Sequence, residues 1–321
     1  MLPDGRRLGA HLPVVTGLVK AAERAATVGA SALQIFGDNP TAWKRRDGPS
    51  PQLTAFRERI RELDIEPLAI HAAYLINLAG ADPEFFGRSV EILAHELRTA
   101  PAYGARFVNV HTGSHMAAGS DAGIERLADG VAMALAEVDP APDAAVLVLE
   151  NSAGGGSAVG ATLEELAAIA RAIEARGVPR ERVAFCLDTA HAWAAGYRLS
   201  EPDETDSLLS AWDELIGLDR LAMIHLNDSK SELGSRLDRH EHVGAGRIGE
   251  RGMAHILRQP ALRHVATLIE TPGMDEGYDA INIRRALDLA AGRPLEPLPP
   301  GAFELRGSRS RGAPQAAGQR T

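Results

Sequence analysis

VLVLEN, residues 146–151, is a run of four apolar residues closed by a carboxylate and an amide. It is too short for a helix, and apolar residues do not alternate with polar ones. It therefore reads as a strand buried on both faces, the mark of a parallel sheet covered by helices. The pattern recurs upstream in HLPVV (11–15), ALQIF (32–36), PLAIHA (67–72) and FVNVHT (107–112). Downstream it returns in VAFCLDT (183–189), LAMIHLND (221–228) and VATLIET (265–271). Amphipathic segments of helix length lie between these runs, at 17–29, 51–63, 84–103, 121–138, 162–176 and 206–217. Eight strands alternating with about eight helices predict an α/β protein, a closed (β/α)8 TIM barrel. An open doubly wound sheet is the alternative, but no glycine-rich dinucleotide motif follows the first run.

The rest of the composition bounds the function. The chain has 321 residues, 45% of them apolar and 24% charged, enough for one barrel with appendages. It holds no apolar run long enough for a membrane span, and MLPDGRRLGAHLPVV lacks the features of a secretory signal. Cys186 is the single cysteine, so no internal disulfide forms. A soluble cytoplasmic protein with no membrane partner is expected. The net charge of −9 argues against a simple polycationic nucleic-acid coat, although bound metal cations would offset local acidity. Residues 292–321 are rich in Pro, Gly and Arg, with five arginines against Glu296 and Glu304. They are expected to be a disordered tail after a barrel domain of residues 1–291, with too few arginines to tether DNA.

The ionisable residues mark one end of the predicted barrel. His71, His111, Glu150, Asp188, His191, His225 and Glu270 all fall at or just past the C-terminal ends of the runs. Those ends converge on one mouth, where barrel active sites are built. Asp238 and His240 lie in the long loop after the seventh run. Singly, each has a bland explanation as a core histidine or a helix cap. Four carboxylates and five imidazoles on one rim would repel and desolvate one another without a cation. Nitrogen and oxygen donors without cysteine suit zinc, manganese or iron(II), and nine donors exceed the needs of one ion. A multinuclear site favours hydrolysis of a phosphodiester.

The motifs carry a resemblance. HAAYLINLAG (71–80), NVHTGSH (109–115), ENSAGGGSAVG (150–160), CLDTAHAWAAGY (186–197), HLNDSKSELGSRLDRHEHVGAGRIG (225–249) and IET (269–271) resemble those of the endonuclease IV family. These are zinc-dependent apurinic/apyrimidinic endonucleases of base-excision repair, with a xylose-isomerase-like barrel, and the likeness runs over about residues 9–291. It implies three zinc ions, with manganese acceptable at some positions. The first would be held by His71, His111 and Glu150, the second by Glu150, Asp188, His225 and Glu270, the third by His191, Asp238 and His240. It further implies a monomer acting on double-stranded DNA that contains abasic sites. Cleavage 5′ to the lesion, beside Glu150 and Glu270, would leave a 3′-hydroxyl and a 5′-deoxyribose phosphate.

Other positions bear on DNA. Tyr74 and Leu75 match family residues that wedge into the stack at the lesion, and Arg239 stands where a phosphate contact is expected. The family often places an arginine or glutamine near Thr41, absent from IFGDNPTAWKRR (35–46), which leaves Arg45 and Arg46 as neighbouring substitutes. Arg236 and Lys230 are weaker phosphate candidates. Trp193, His115 and His242 are near the rim, and Cys186 reads as inert core. GGGSAVGAT (154–162) is a loop and not a phosphate cradle, because Ala161 stands where its lysine belongs. The competing function is a divalent-metal sugar isomerase or epimerase on the same barrel, which has no need of His71, His111 and the Asp238–His240 pair together. A non-catalytic DNA-binding or metal-storage protein is the third class.

Overall fold

The computed structural model of the chain describes residues 1–46, 48–274 and 276–305. Strands and helices alternate through β1 (Leu8–His11), α1 (Leu18–Thr27), β2 (Ala32–Phe36), α2 (Leu53–Glu62), β3 (Leu68–His71) and α3 (Pro83–Tyr103). The chain continues through β4 (Phe107–His111), α4 (Ser120–Ala136), β5 (Val146–Glu150), α5 (Leu163–Glu174), β6 (Val183–Asp188), α6 (Thr189–Ala195) and α7 (Pro202–Leu215). It ends in β7 (Leu221–His225), a small hairpin of β8 (Asp228–Ser229) and β9 (His240–Glu241), α8 (Gly249–Leu257), β10 (Ala266–Ile269) and α9 (Tyr278–Ala291). Eight strands close in the order β1-β10-β7-β6-β5-β4-β3-β2, and every pairing in the barrel is parallel. Among the described residues no helix is long and apolar enough to cross a membrane.

Local chemistry sets the boundaries. Asp82 caps α3 by accepting from the backbone N–H groups of Glu84 and Phe85 at 3.0 Å, with Pro83 preset in the first turn. Thr162 caps α5 through the N–H of Glu165, whose side chain reaches back to the N–H of Ala161. The first strand differs from the expected 11–15. It is Leu8–His11, because Pro13 has no N–H to give a ladder and the LGAH segment pairs with both neighbours. Gly9 permits that fit: a Cβ there would collide with the Ala32 carbonyl.

The barrel interior holds its own apolar cluster of small and medium side chains, including Ala32, Ala69, Phe107, Val148, Ala184, Met223 and Ala266. Side chains alternate along a strand, so the residue two further on points the same way. Two steps along from these apolar residues stand Gln34, His71, Asn109, Glu150, Cys186, His225 and Leu268. The interior thus turns from apolar at its N-terminal end to polar at its C-terminal mouth.

The segment after α9 departs in part from the expected tail at 292. Residues up to Leu305 run back over the barrel: the Arg285 guanidinium donates to the Glu296 carbonyl at 2.8 Å, and His242 Nε2 meets the Ala302 carbonyl at 3.0 Å. Leu295 and buried Ala302 supply apolar contacts that a composition rich in Pro and Gly concealed. The remainder of the expected tail, 306–321, lies outside the described residues.

Candidate metal centre at the barrel mouth

The structure brings all nine singled-out donors together. His71 ends β3, His111 ends β4, Glu150 ends β5, Asp188 ends β6 and His225 ends β7, while Glu270 directly follows β10. Asp188 also caps α6: its carboxylate accepts the backbone N–H of His191 at 2.8 Å, so one donor positions the next. Asp238 and His240 come over the mouth at the start of β9, and His240 Nδ1 is fixed 2.8 Å from the Glu270 carbonyl.

Four groupings of donor atoms, each within 4.8 Å of one another, form at the mouth, three of them without cysteine: His71, His111 and Glu150; Glu150, Asp188, His225 and Glu270; and Asp188, His191 and His240. Glu150 Oε2 lies 3.6 Å from His111 Nε2 and 3.9 Å from His71 Nε2. Asp238 bridges the third group, 3.2 Å from His191 Nε2 and 3.1 Å from His240 Nε2, while Asp188 Oδ2 is 3.5 Å from His240 Nε2. Cys186 sits closer than inert core implies, grouped with Glu150 and His225. Burial nevertheless pushes its thiol up to about 11, against the opposing pull of His225.

Hydrogen bonds orient these donors. His71 and His191 direct Nδ1 at the Ala72 and Asn151 carbonyls, 2.8 and 2.9 Å away, which leaves Nε2 as the free lone pair. The sequence reading missed a layer of polar residues behind them. Gln34, fully buried, donates to Glu270 Oε1 at 2.7 Å and faces His225 Nε2 through its own oxygen at 3.2 Å. His11 Nδ1 lies 2.9 Å from the same Glu270 oxygen. Asn109 donates to Glu150 Oε2 at 2.6 Å, and Asn227 to Asp188 Oδ2 at 2.7 Å. The signal was the two-residue alternation within ALQIF and FVNVH, whose polar members share the inward face with His71 and Glu150.

The electrostatics fit a cation. Glu150 Oε1 and His225 Nδ1 are buried with no hydrogen-bond partner among the described residues, and both belong to the donor groupings. Burial opposes a charge on Glu150, yet His225, His111 and His191 hold it well below the usual carboxylate range. Burial likewise disfavours charge on His240, but Asp238 and Asp188 draw it up to about 10. His71 goes the other way, pushed down to about 4 by burial and by His111, and so keeps a neutral, ligating ring. Carboxylates this deep call for positive charge, and imidazoles with fixed tautomers supply the nitrogen donors a divalent ion takes.

A cavity of about 1550 Å³ opens over this centre, lined among others by His11, Tyr74, Arg46, Asp238, Arg239 and Glu270. Tyr74 is 58% exposed, its ring 5.5 Å from that of His71, and Leu75 beside it is half-buried. Arg239 is exposed and lines the cavity, Arg236 is exposed but is not among the lining residues, and Lys230 leans toward Glu241 at 3.8 Å. Among the described residues, Thr41 bonds to Asn39. Of its two neighbouring substitutes, Arg45 is withdrawn: its guanidinium is buried against Glu96 at 3.2 Å and cannot enter a duplex. Arg46 remains exposed. Trp193 donates to the Ser231 carbonyl and His115 accepts from Gly119, both structural contacts.

Comparison with known proteins follows the same lines. The family model described as a xylose isomerase-like TIM barrel matches residues 22–291. A protein of Methanoculleus marisnigri named "Probable endonuclease 4" is 40% identical over 283 residues, 88% of this chain and 98% of that one. The crystal structure of endonuclease IV from Thermus thermophilus superposes with a TM-score of 0.77 at 37% identity, covering 89% of this chain and 99% of that one. A D-tagatose 3-epimerase-like protein superposes with a TM-score of 0.61 at 16% identity over 88% of this chain and 96% of that one, a likeness of fold alone.

Proposed function

The chain belongs to the endonuclease IV family, and from that premise we propose that it hydrolyses the DNA phosphodiester 5′ to an abasic site. The products are a 3′-hydroxyl and a 5′-deoxyribose phosphate. The observation that carries this reading is the convergence of nine donors at the barrel mouth, three of which, Asp238, His240 and Glu270, line an open cavity. We assign His71, His111 and Glu150 to one ion, Glu150, Asp188, His225 and Glu270 to a second, and His191, Asp238 and His240 to a third. Zinc suits this donor set at all three, with manganese an acceptable substitute. Divalent ions held there would activate a water and stabilise charge on the phosphate and the leaving oxygen.

The chain's own residues prepare that chemistry. Glu150 reaches across the first two groups, and Asn109 fixes one of its oxygens so that the carboxylate cannot rotate away. His11 and Gln34 hold Glu270 Oε1 and leave Oε2 facing His225 at 3.4 Å. Glu270 and Glu150 thus stand ionised beside the reacting phosphate. Tyr74 and Leu75 fill the stack at the lesion, and Arg239 meets the backbone. The enzyme acts as a monomer, and its single reduced cysteine suits the cytoplasm.

The test is the chemistry of the ends formed on a duplex carrying one abasic site. The expected product is a nick on the 5′ side whose 3′ end a polymerase extends directly. Glu270→Gln should keep binding and lose incision by a factor of about 100 or more. A nick on the 3′ side, or undiminished cleavage by the variant, removes this assignment. The epimerase alternative shares the barrel but leaves the Asp238–His240 arm without a task.

A further inference from the structure

Two loops form one wall of the cavity: residues 37–46 after β2, and 72–77 after β3, which carries Tyr74. Beneath them lies an ion pair remote in sequence from the donors. Glu96 on α3 and Arg45 have side chains only 3% and 9% exposed, with Arg45 Nη1 donating to Glu96 Oε1 at 3.2 Å. The same guanidinium donates to the carbonyls of Asn39, at 3.1 Å, and Ala42, closing the first loop on itself. The backbone N–H of Ala73, at the root of the second loop, lies beside the Glu96 carboxyl and opposes the effect of burial on it. The loops meet where the Tyr74 N–H donates to the Pro40 carbonyl at 3.1 Å. From the same helix, the Tyr103 hydroxyl donates to the Gly37 carbonyl at 2.7 Å. Gly37 leaves room for this, since a Cβ there would stand 3.2 Å from Glu96 Oε2.

The first loop carries no fully buried apolar side chain, so its conformation depends on polar ties, whereas the second is also anchored by buried Ala72, Ala73 and Ile76. A buried charge pair adds little net stability, but removal of either partner strands the other, which makes the tie all-or-none. We propose that Glu96 and Arg45 are a positioning pair that sets both mouth loops in the orientation that receives duplex DNA. The pair touches neither the reacting phosphate nor a metal donor. Its effect should therefore appear in substrate affinity while turnover of bound substrate stays near normal.

This rests on the nuclease reading, and the experiment separates the two. Steady-state incision of an abasic duplex is measured for the wild type, Arg45→Met and Glu96→Gln, with zinc content determined in parallel. Acrylamide quenching of tryptophan fluorescence reports the loop itself. Trp43 lies in it, half-buried against Phe85 at 5.7 Å, whereas Trp193 and Trp212 are buried. The expected result for Arg45→Met is a KM raised about tenfold, as for a modest misplacement of substrate-holding groups. Its kcat stays within about twofold with unchanged zinc, and the quenchable fraction increases. A fall in kcat at constant KM, or no change in KM and quenching, overturns the proposal. Where Arg45→Met gives no soluble protein, the nearly isosteric Glu96→Gln decides by the same two readouts. Absence of incision by the wild type defeats the nuclease reading instead, and quenching still shows whether the pair holds the loop.

Discussion

Asn109 shows how much of the centre rests on single atoms. Its side-chain amide donates at 2.6 Å to the Glu150 oxygen that faces His71 and His111, and its own oxygen is buried without a partner. Asn109→Ala should leave the donors in place but free the carboxylate to rotate. A loss of about 10- to 100-fold in metal affinity or activity is expected, the usual effect of removing a partner behind a ligand. Zinc retention under a competing chelator measures it, and wild-type retention would show that Glu150 is held by the imidazoles alone. The nine donors were legible in the sequence because each sits at the end of an apolar run or in the loop just past one. Gln34, His11 and Asn109 were not, because Gln34 and Asn109 are lone polar residues inside apolar runs, and His11 ends a strand that starts at Leu8, ahead of the apolar run at 11–15. Arg45 and Arg46 could not be told apart either. Only the three-dimensional position of Glu96 decides which of two adjacent arginines faces inward.

At the scale of elements, runs of both-face-buried sequence located seven of the eight barrel strands to within a few residues, because a parallel strand leaves little freedom in composition. What the sequence hid were contacts between elements. Gly9 is one: β1 approaches β2 so closely that Gly9→Ala must push the strands apart. A cost of about 1–3 kcal/mol is expected, read as a lower midpoint in urea at unchanged slope. An unchanged midpoint would mean that the strand ends adapt freely. Glu96 is another. Burial, outweighing the attraction of Arg45, pushes its carboxyl up to about 7. A folded-state value above the unfolded one stabilises the fold most below the unfolded value, and this contribution is lost as pH rises through about 7. The stability of the wild type relative to Glu96→Gln should therefore fall between pH 5 and pH 8, by up to about 3 kcal/mol. Parallel pH profiles for the two proteins would show that Glu96 is charged throughout.

For the whole molecule, a chain of net charge −9 must meet a polyanion. Among the described residues, the arginines and lysines that line the mouth cavity are Arg46 and Arg239, so few phosphates are neutralised by side chains. With about 0.9 of a log unit per phosphate, log affinity for duplex should fall with log salt at a slope near −2. A slope steeper than about −5 would point to a broad basic surface, the arginines of 306–321 included. Hydrolysis should depend on ions held by the converging donors. The most direct measurement of that dependence is incision of an abasic duplex by protein stripped of metal by prolonged chelation, with zinc then returned in steps and bound metal counted. The expected result is no cleavage by the stripped protein and recovery on the 5′ side of the lesion as zinc binds. Cleavage by protein shown to be free of metal, or none by protein shown to be loaded, would contradict it.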